Sequence, residues 1–310
     1  MTTLVSPERV GATPLVELPR LSPKPGVRLL GKLEWYNPTG SVKDRPARWM
    51  LDAAERDGLL EPGARILEPS SGNTGIALAR LSRLRGYDFT VVIPDNVSDE
   101  RKALLRAYGA TIVESPGELG SNGAIEVARE KAEREGHVLL FQYANPANPI
   151  SHYETTGPEI LSGAGSVDVF VAGLGTGGTL MGVGRYLKER LPDVKIVAAE
   201  PPSGESVMGL RSLEDGYHPP IFDPDAIDGK VLVGTEASVR GTRRLMDEEG
   251  LFAGLSSGAI LHAGLRWAER MDEGTVVLLL CDGGWKYLST GAWEGTVDEA
   301  VARLSGTSFW

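Results

Sequence analysis

The sequence predicts an α/β fold of two domains, and three features carry that prediction. Two segments each read strand, glycine-rich turn, helix, strand, the pattern of a βαβ unit and hence of a parallel sheet. The chain has 310 residues, long enough for two domains of about 150 residues. Asn145-Pro146-Ala147-Asn148-Pro149 interrupts the pattern near the middle, where a domain boundary belongs.

In chain order, residues 28–34 read as a strand and 41–58 as a helix. Ser41 with Asp44 fits the capping pattern S-x-x-D, which places Lys43 in the first helical turn. The first βαβ unit is a strand at 65–68, a loop at 69–73, a helix at 74–85 and a strand at 89–93. Its helix has an apolar stripe of Ile76, Leu78, Leu81 and Leu84. A helix at 99–108, a strand at 110–113, a helix at 121–135 and a strand at 138–143 follow. The second unit has a strand at 167–174, a turn at 175–178, a helix at 179–191 and a strand at 194–200. Helices at 237–249 and 258–271 and a strand at 275–281 complete the alternation.

Composition narrows the function classes. Lys plus Arg number 32 and Asp plus Glu 42, a net charge of −10, which argues against nucleic acid and anionic membrane surfaces as partners. An anionic substrate would then need local positive potential at its site. The single cysteine, Cys281, excludes an internal disulfide and C-x-x-C metal sites. The start lacks a basic segment leading into an apolar run, and the longest clear apolar run is only 276–281, so a cytoplasmic protein is expected. The histidines His137, His152, His218 and His262 show no metal-ligand spacing. Cys281, at the end of an apolar strand, is expected to be a small buried hydrophobe.

Three glycine-rich turns each lead into a helix. Gly173-Leu174-Gly175-Thr176-Gly177-Gly178-Thr179 matches G-x-G-x-x-G, and Glu200 ends the next strand, the layout of an NAD(P) site of an oxidoreductase. The same glycines, with Thr176 and Thr179, would equally cage a single phosphate at a helix N-terminus. Ser70-Ser71-Gly72-Asn73-Thr74-Gly75 offers hydroxyl and amide donors for a carboxylate, or simply an N-cap. Gly254-Leu255-Ser256-Ser257-Gly258-Ala259 reads by itself as an N-cap.

Lys43 stands out because a cation in a first helical turn opposes the helix dipole, at a cost of a few tenths to about 1 kcal/mol. Such a lysine has a partner or a lowered pKa, and a lowered pKa suits Schiff-base chemistry. The plain alternative is a solvated surface lysine.

The segment Asn37-Pro38-Thr39-Gly40-Ser41-Val42-Lys43-Asp44-Arg45 resembles the cofactor-lysine segment of the cysteine synthase family, pyridoxal-phosphate enzymes of the second fold type. Ser71-Gly72-Asn73-Thr74-Gly75, Gly175-Thr176-Gly177-Gly178-Thr179 and Ser256-Ser257-Gly258-Ala259 resemble that family's substrate, phosphate and pyridine-nitrogen loops. Asn145 to Pro149 with His152 and Thr156-Gly157-Pro158-Glu159 resemble a further stretch, and the matches run in order from Thr13-Pro14-Leu15 to Tyr287-Leu288-Ser289-Thr290.

The resemblance implies two three-layer α/β domains with the cofactor in the cleft between them. Residues 41–146 would form the smaller, mobile domain, and 1–40 with 147–310 the larger. Lys43 would bind pyridoxal 5'-phosphate and then act as general base at the substrate Cα. Asn73 would bond the ring hydroxyl oxygen. Gly175, Thr176, Gly177, Gly178 and Thr179 would cage the phosphate, and Ser256 would meet the pyridine nitrogen. Ser70, Ser71, Asn73, Thr74 and Gln142 would take the substrate carboxylate. Ser70 stands where the family usually has Thr. The implied reaction replaces the β-substituent of an O-substituted serine by a sulfur nucleophile through an α-aminoacrylate.

Val207-Met208-Gly209-Leu210-Arg211 and Asp282-Gly283-Gly284-Trp285-Lys286-Tyr287 resemble the branch that uses O-phosphoserine, with Arg211 on the substrate phosphate. The alternative for Arg211 is a surface salt bridge to Glu214 or Asp215, and the alternative substrate is O-acetylserine. That branch also suggests sulfide or a small thiocarboxylated carrier protein as sulfur donor, and a homodimer. The terminal Phe309 and Trp310 would shield the cleft or pack on their own domain or a partner subunit.

Overall fold

The computed structural model describes residues 6–70 and 72–305. Its elements in order are β1 (Leu15–Glu17), β2 (Val27–Leu33), α1 (Asp44–Arg56), β3 (Arg65–Pro69), α2 (Asn73–Arg85), β4 (Asp88–Pro94), α3 (Asp99–Ala107), β5 (Thr111–Ser115), α4 (Gly120–Glu135) and β6 (Val138–Leu139). There follow α5 (Ala147–Ser151), a π-helical turn (His152–Thr156), α6 (Gly157–Ala164), β7 (Val169–Gly173), α7 (Gly178–Lys188), β8 (Lys195–Glu200), β9 (Gly229–Leu232), α8 (Thr235–Glu249), α9 (Leu255–Ala268), β10 (Gly274–Leu280) and α10 (Val297–Ser305).

The strands form two sheets. The larger runs β1-β2-β10-β7-β8-β9, antiparallel only at β1, and the smaller runs β5-β4-β3-β6, all parallel. Parallel strands need both faces covered, and side-chain alternation divides the apolar residues between two helical layers. In the larger sheet Val169, Val171, Val197, Val276 and Leu278 face Leu245, Ile260 and Leu261 of α8 and α9. Their neighbours Phe170, Ala172, Ile196, Val277 and Leu279 face Ile160, Leu180, Val183 and Leu187 of α6 and α7. Each such Leu or Ile contributes about 1.5–3 kcal/mol on full burial. In α1 the buried residues Ala47, Met50, Leu51 and Ala54 fall on one helical face and pack with α2 on the smaller sheet.

Two local expectations are corrected. The strand expected at 138–143 stops at Leu139, because the buried carboxylate of Glu68 accepts the next N–H groups, Phe141 N (2.7 Å) and Gln142 N (2.9 Å). Phe141 takes a left-handed φ of 54° there, turning the chain out of the sheet. The capping box at Ser41 does not form. Lys43 precedes α1, its N–H donates to Ser41 Oγ (3.3 Å), and Asp44 accepts from Thr39 N (3.0 Å) and Thr39 Oγ1 (2.8 Å). No helix of the described residues is long and apolar enough to cross a membrane, and among them no group of three His, Cys, Asp or Glu is placed to hold a metal.

Candidate active site

In open parallel sheets, ligands bind beyond the carboxyl ends of the strands. Here the ends of β3, β7 and β10 open onto one cleft, whose lining includes Lys43, Thr74, Gln142, Thr176, Arg211 and Ser256. Counting space continuous with solvent, about 950 Å³ of the cleft is free of protein atoms.

The backbone before Lys43 is held by the two residues that follow β10. Val42 N donates to Cys281 O (2.9 Å), and Ser41 pairs antiparallel with Asp282. The half-buried Lys43 side chain has no hydrogen bond or ion pair to Nζ among the described residues. Burial pushes its pKa below the usual lysine value, while the neighbouring Cys281 and Asp282 oppose that shift. A lowered pKa is the direction that Schiff-base chemistry at a lysine requires.

The turn after β7 has the form of an anion cage. Gly177 adopts a left-handed φ of 85°, and a Cβ on Gly178 would lie 2.0 Å from Asn148 Oδ1, so only glycine fits there. Thr176 Oγ1 accepts from Asn148 Nδ2 (3.0 Å) and Gly178 N (3.2 Å), leaving its O–H to donate elsewhere. Thr179 Oγ1 lies 3.3 Å from His152 Nε2, and His152 Nδ1 lies 2.9 Å from Thr156 Oγ1. Burial, then the nearby Arg45 and Lys43 charges, hold His152 well below its usual pKa, so it is a neutral support for Thr179. Two hydroxyls, glycine backbone and the N-terminus of α7 suit the phosphate of pyridoxal phosphate.

On the opposite wall, Thr74 Oγ1 donates to Gln142 Oε1 (2.7 Å), and Gln142 Nε2 donates to Pro69 O (3.3 Å). Thr74 lies in the first turn of α2, where a carboxylate is favoured, and Gln142 reaches it from the segment after β6. Ser70 Oγ accepts from Gly72 N (3.3 Å) and Gly75 N (3.0 Å), so this hydroxyl acts as a helix cap and keeps only its O–H for a ligand. Ser71 lies outside the described residues, as do Phe309 and Trp310.

Asn73 belongs to a buried polar cluster that the sequence does not announce. Its Nδ2 donates to Asp282 Oδ2 (2.7 Å), and its Oδ1 accepts from Lys286 Nζ (2.7 Å). Tyr287 OH donates to the same Asp282 oxygen. Asp282, Lys286 and Tyr287 are all buried. In the DGGWKY stretch the paired charges Asp282 and Lys286 were the available signal.

Ser256 lies in the first turn of α9 and faces Gly209, whose Cβ would come 3.7 Å from its Oγ. Its side chain is buried, and it lines the cleft. Arg211 also reaches the cleft but is no surface ion pair with Glu214 or Asp215. It donates to Asn122 Oδ1 (2.8 Å) and Ser121 Oγ (2.9 Å) and lies over the rings of Tyr143 and Tyr217. Cys281 is half-buried in the cleft wall, not fully buried as expected. Burial, with Asp282, pushes its thiol up to about 12, so it stays protonated.

The dinucleotide reading loses its ribose ligand. Glu200 is fully buried, accepts from Leu213 N (2.7 Å) and Ser212 Oγ (3.4 Å), and pairs with Lys230 (3.1 Å).

Residues 7–282 match the family described as pyridoxal-phosphate dependent enzyme. The chain is 44% identical over 287 residues to cysteine synthase B of Pseudomonas aeruginosa, covering 92% of this chain and 96% of that protein. It is 42% identical over 291 residues to cysteine synthase of Staphylococcus aureus (strain N315), covering 91% and 94%. Among solved structures, O-ureido-L-serine synthase superposes with a TM-score of 0.88 at 41% identity, covering 96% of this chain and 98% of that one. Cysteine synthase (OASS) from Entamoeba histolytica superposes with a TM-score of 0.86 at 33% identity, covering 99% of each. The chain therefore belongs to the pyridoxal-phosphate dependent enzyme family, with pyridoxal phosphate as its cofactor.

Proposed function

We propose that the protein is a cysteine synthase that exchanges the β-substituent of O-acetyl-L-serine for a sulfur nucleophile. The observation that carries this reading is Lys43, whose Nζ lacks a partner among the described residues in a cleft shared with the Thr176–Thr179 cage and the Thr74–Gln142 pair. Relatives of 42–44% identity are cysteine synthases, which supports the same reading.

Bound pyridoxal phosphate supplies the electron sink for loss of the Cα proton and the β-substituent. Lys43 would hold the cofactor and then carry the proton at Cα. Thr74, Gln142, Ser70, Ser71 and Asn73, with the N-terminus of α2, would orient the substrate carboxylate. Thr176, Thr179 and the turn backbone would hold the phosphate. Ser256, a neutral hydroxyl, would face the ring nitrogen without forcing its protonation. Segment 41–146 would close on the bound carboxylate and exclude water.

A second reading, O-phospho-L-serine as substrate, is favoured by Arg211. Its guanidinium lies in the cleft, and its present partners are neutral acceptors that an anion would displace. Sulfide is the simplest sulfur donor for either substrate, with a small thiocarboxylated carrier protein as the alternative. A homodimer in the cytoplasm completes the proposal.

The test is cysteine formation from sulfide by the yellow holoenzyme, with O-acetylserine and O-phosphoserine in parallel. Turnover of O-acetylserine supports the first reading, and turnover of neither substrate rejects both. Arg211→Ala should cost O-phosphoserine at least about tenfold more than O-acetylserine in kcat/KM. Equal losses would remove the phosphate assignment. Light scattering on the holoenzyme reads the oligomeric state.

A further inference from the structure

The cluster at Asn73 has an order that bears on the cofactor ring. An ammonium can only donate hydrogen bonds and an ionised carboxylate can only accept them. Lys286 Nζ donates to Asn73 Oδ1 (2.7 Å), and Asn73 Nδ2 donates to Asp282 Oδ2 (2.7 Å). Both contacts impose the same orientation on the amide, so its oxygen and nitrogen are distinguished by chemistry. Lys286 is 2% exposed and Asp282 0%, so neither charge has water as a ready alternative partner. Nδ2 has a second hydrogen, and Asn73 lines the cleft. A cation on the amide oxygen also polarises the amide and strengthens its remaining N–H as a donor.

We propose that Lys286 and Asp282 are positioning residues that clamp Asn73 so that it offers an N–H, and not its oxygen, to the anionic ring oxygen of pyridoxal phosphate. This rests on the reading that Asn73 meets that ring oxygen. Among the described residues the Lys286 ammonium hydrogen-bonds only the Asn73 amide, and Lys286 does not line the cleft, so its influence on the cofactor runs through Asn73. A lysine placed merely to fill the core would change stability without changing the cofactor's colour.

The experiment uses holoenzyme and reads two quantities besides turnover, the pH dependence of the yellow absorption and the dissociation constant of pyridoxal phosphate. Lys286→Met should lose part of the yellow absorption at neutral pH and weaken cofactor retention by about tenfold. Lys286→Gln, which keeps an N–H donor for the amide oxygen, should recover part of both losses, and it serves if the Met variant does not fold. The decisive comparison is in an Asn73→Ala background, where Lys286→Met or Lys286→Gln should change neither quantity further. Equal effects of the Lys286 substitution with and without Asn73 would overturn the proposal, as would wild-type absorption and affinity in Lys286→Met. If Asn73→Ala alone leaves the absorption unchanged, the contact between Asn73 and the ring is absent, and the proposal falls with the reading beneath it.

Discussion

Lys43 and Arg45 lie two residues apart at the start of α1, yet their surroundings are opposite. Arg45 is fully buried, and Nε and Nη2 bond Glu34 (2.7 and 2.8 Å) while Nη1 and Nη2 bond Glu159 (2.8 Å each). Lys32 Nζ also pairs with Glu159 (2.7 Å), and Thr13 Oγ1 donates to Glu34 Oε1 (2.7 Å). Two cations and two carboxylates cancel there. Lys43, two residues earlier, has no hydrogen bond or ion pair at Nζ among the described residues, and burial lowers its pKa. One charge is fixed and the other is kept available. The fixed cluster ties β2, α1 and α6 together and so holds the backbone that carries Lys43.

Four substitutions would break or sharpen that contrast. Lys43→Ala should reduce cysteine formation by at least about a thousandfold while the apo-chain keeps its far-ultraviolet dichroism. Loss of fold instead would mean that Lys43 is structural and the contrast is false. Arg45→Met should do the reverse, lowering unfolding free energy by about 3–5 kcal/mol in denaturant titration, because it takes the only cation from the buried Glu34 carboxylate among the described residues and one of two from Glu159. An unchanged midpoint would show that the cluster contributes no net stability.

Glu159 gives the contrast a pH signature. Burial alone would raise its pKa, but the bonds from Arg45 and Lys32 outweigh burial and hold it at about 2, below the ordinary 4.5. A depressed folded-state pKa means the unfolded chain binds the proton first, so this contribution is complete above about pH 4.5 and is lost as pH falls towards about 2. Glu159→Gln should lower stability at neutral pH by at most about 3 kcal/mol and flatten that acid limb. A variant with the wild-type limb would place the titration elsewhere. The smallest effect is expected at Cys281. A thiol pushed up to about 12 should resist alkylation at pH 8, and Cys281→Ala should keep turnover within about twofold. Rapid alkylation would give the cleft a second nucleophile.

Much of this was legible in the sequence, for local reasons. Both βαβ units appear where hydrophobic period and glycine turns place them, and Gly177 and Gly178 are required by φ and by the approach of Asn148. What stayed hidden depends on partners far along the chain. The end of β6 is set by Glu68, about 70 residues earlier, and no periodicity encodes that. Sequence distance offers Arg211 a salt bridge to Glu214 or Asp215 as the alternative to a substrate phosphate, but the fold brings Ser121 and Asn122 to it. Nothing in the motif around Lys43 marks Arg45, because its carboxylates come from Glu34, just after β2, and from Glu159 in α6. Ser41 and Asp44 have the spacing of a capping box, but Asp44 is taken by Thr39.

The pairing of Ser41 with Asp282 has a consequence for how the enzyme is made. These residues are about 240 positions apart, so the loop their contact closes spans most of the chain. Val42 depends on the same late segment through Cys281 O. A ribosome-bound chain that has emerged only to α9 already contains the turn after β7 and Lys43, but it lacks the Cys281 and Asp282 contacts that fix the neighbouring Val42 and Ser41. If Lys43 holds the cofactor, loading awaits the docking of β10 and the residues just after it, and yellow colour during refolding should appear only then.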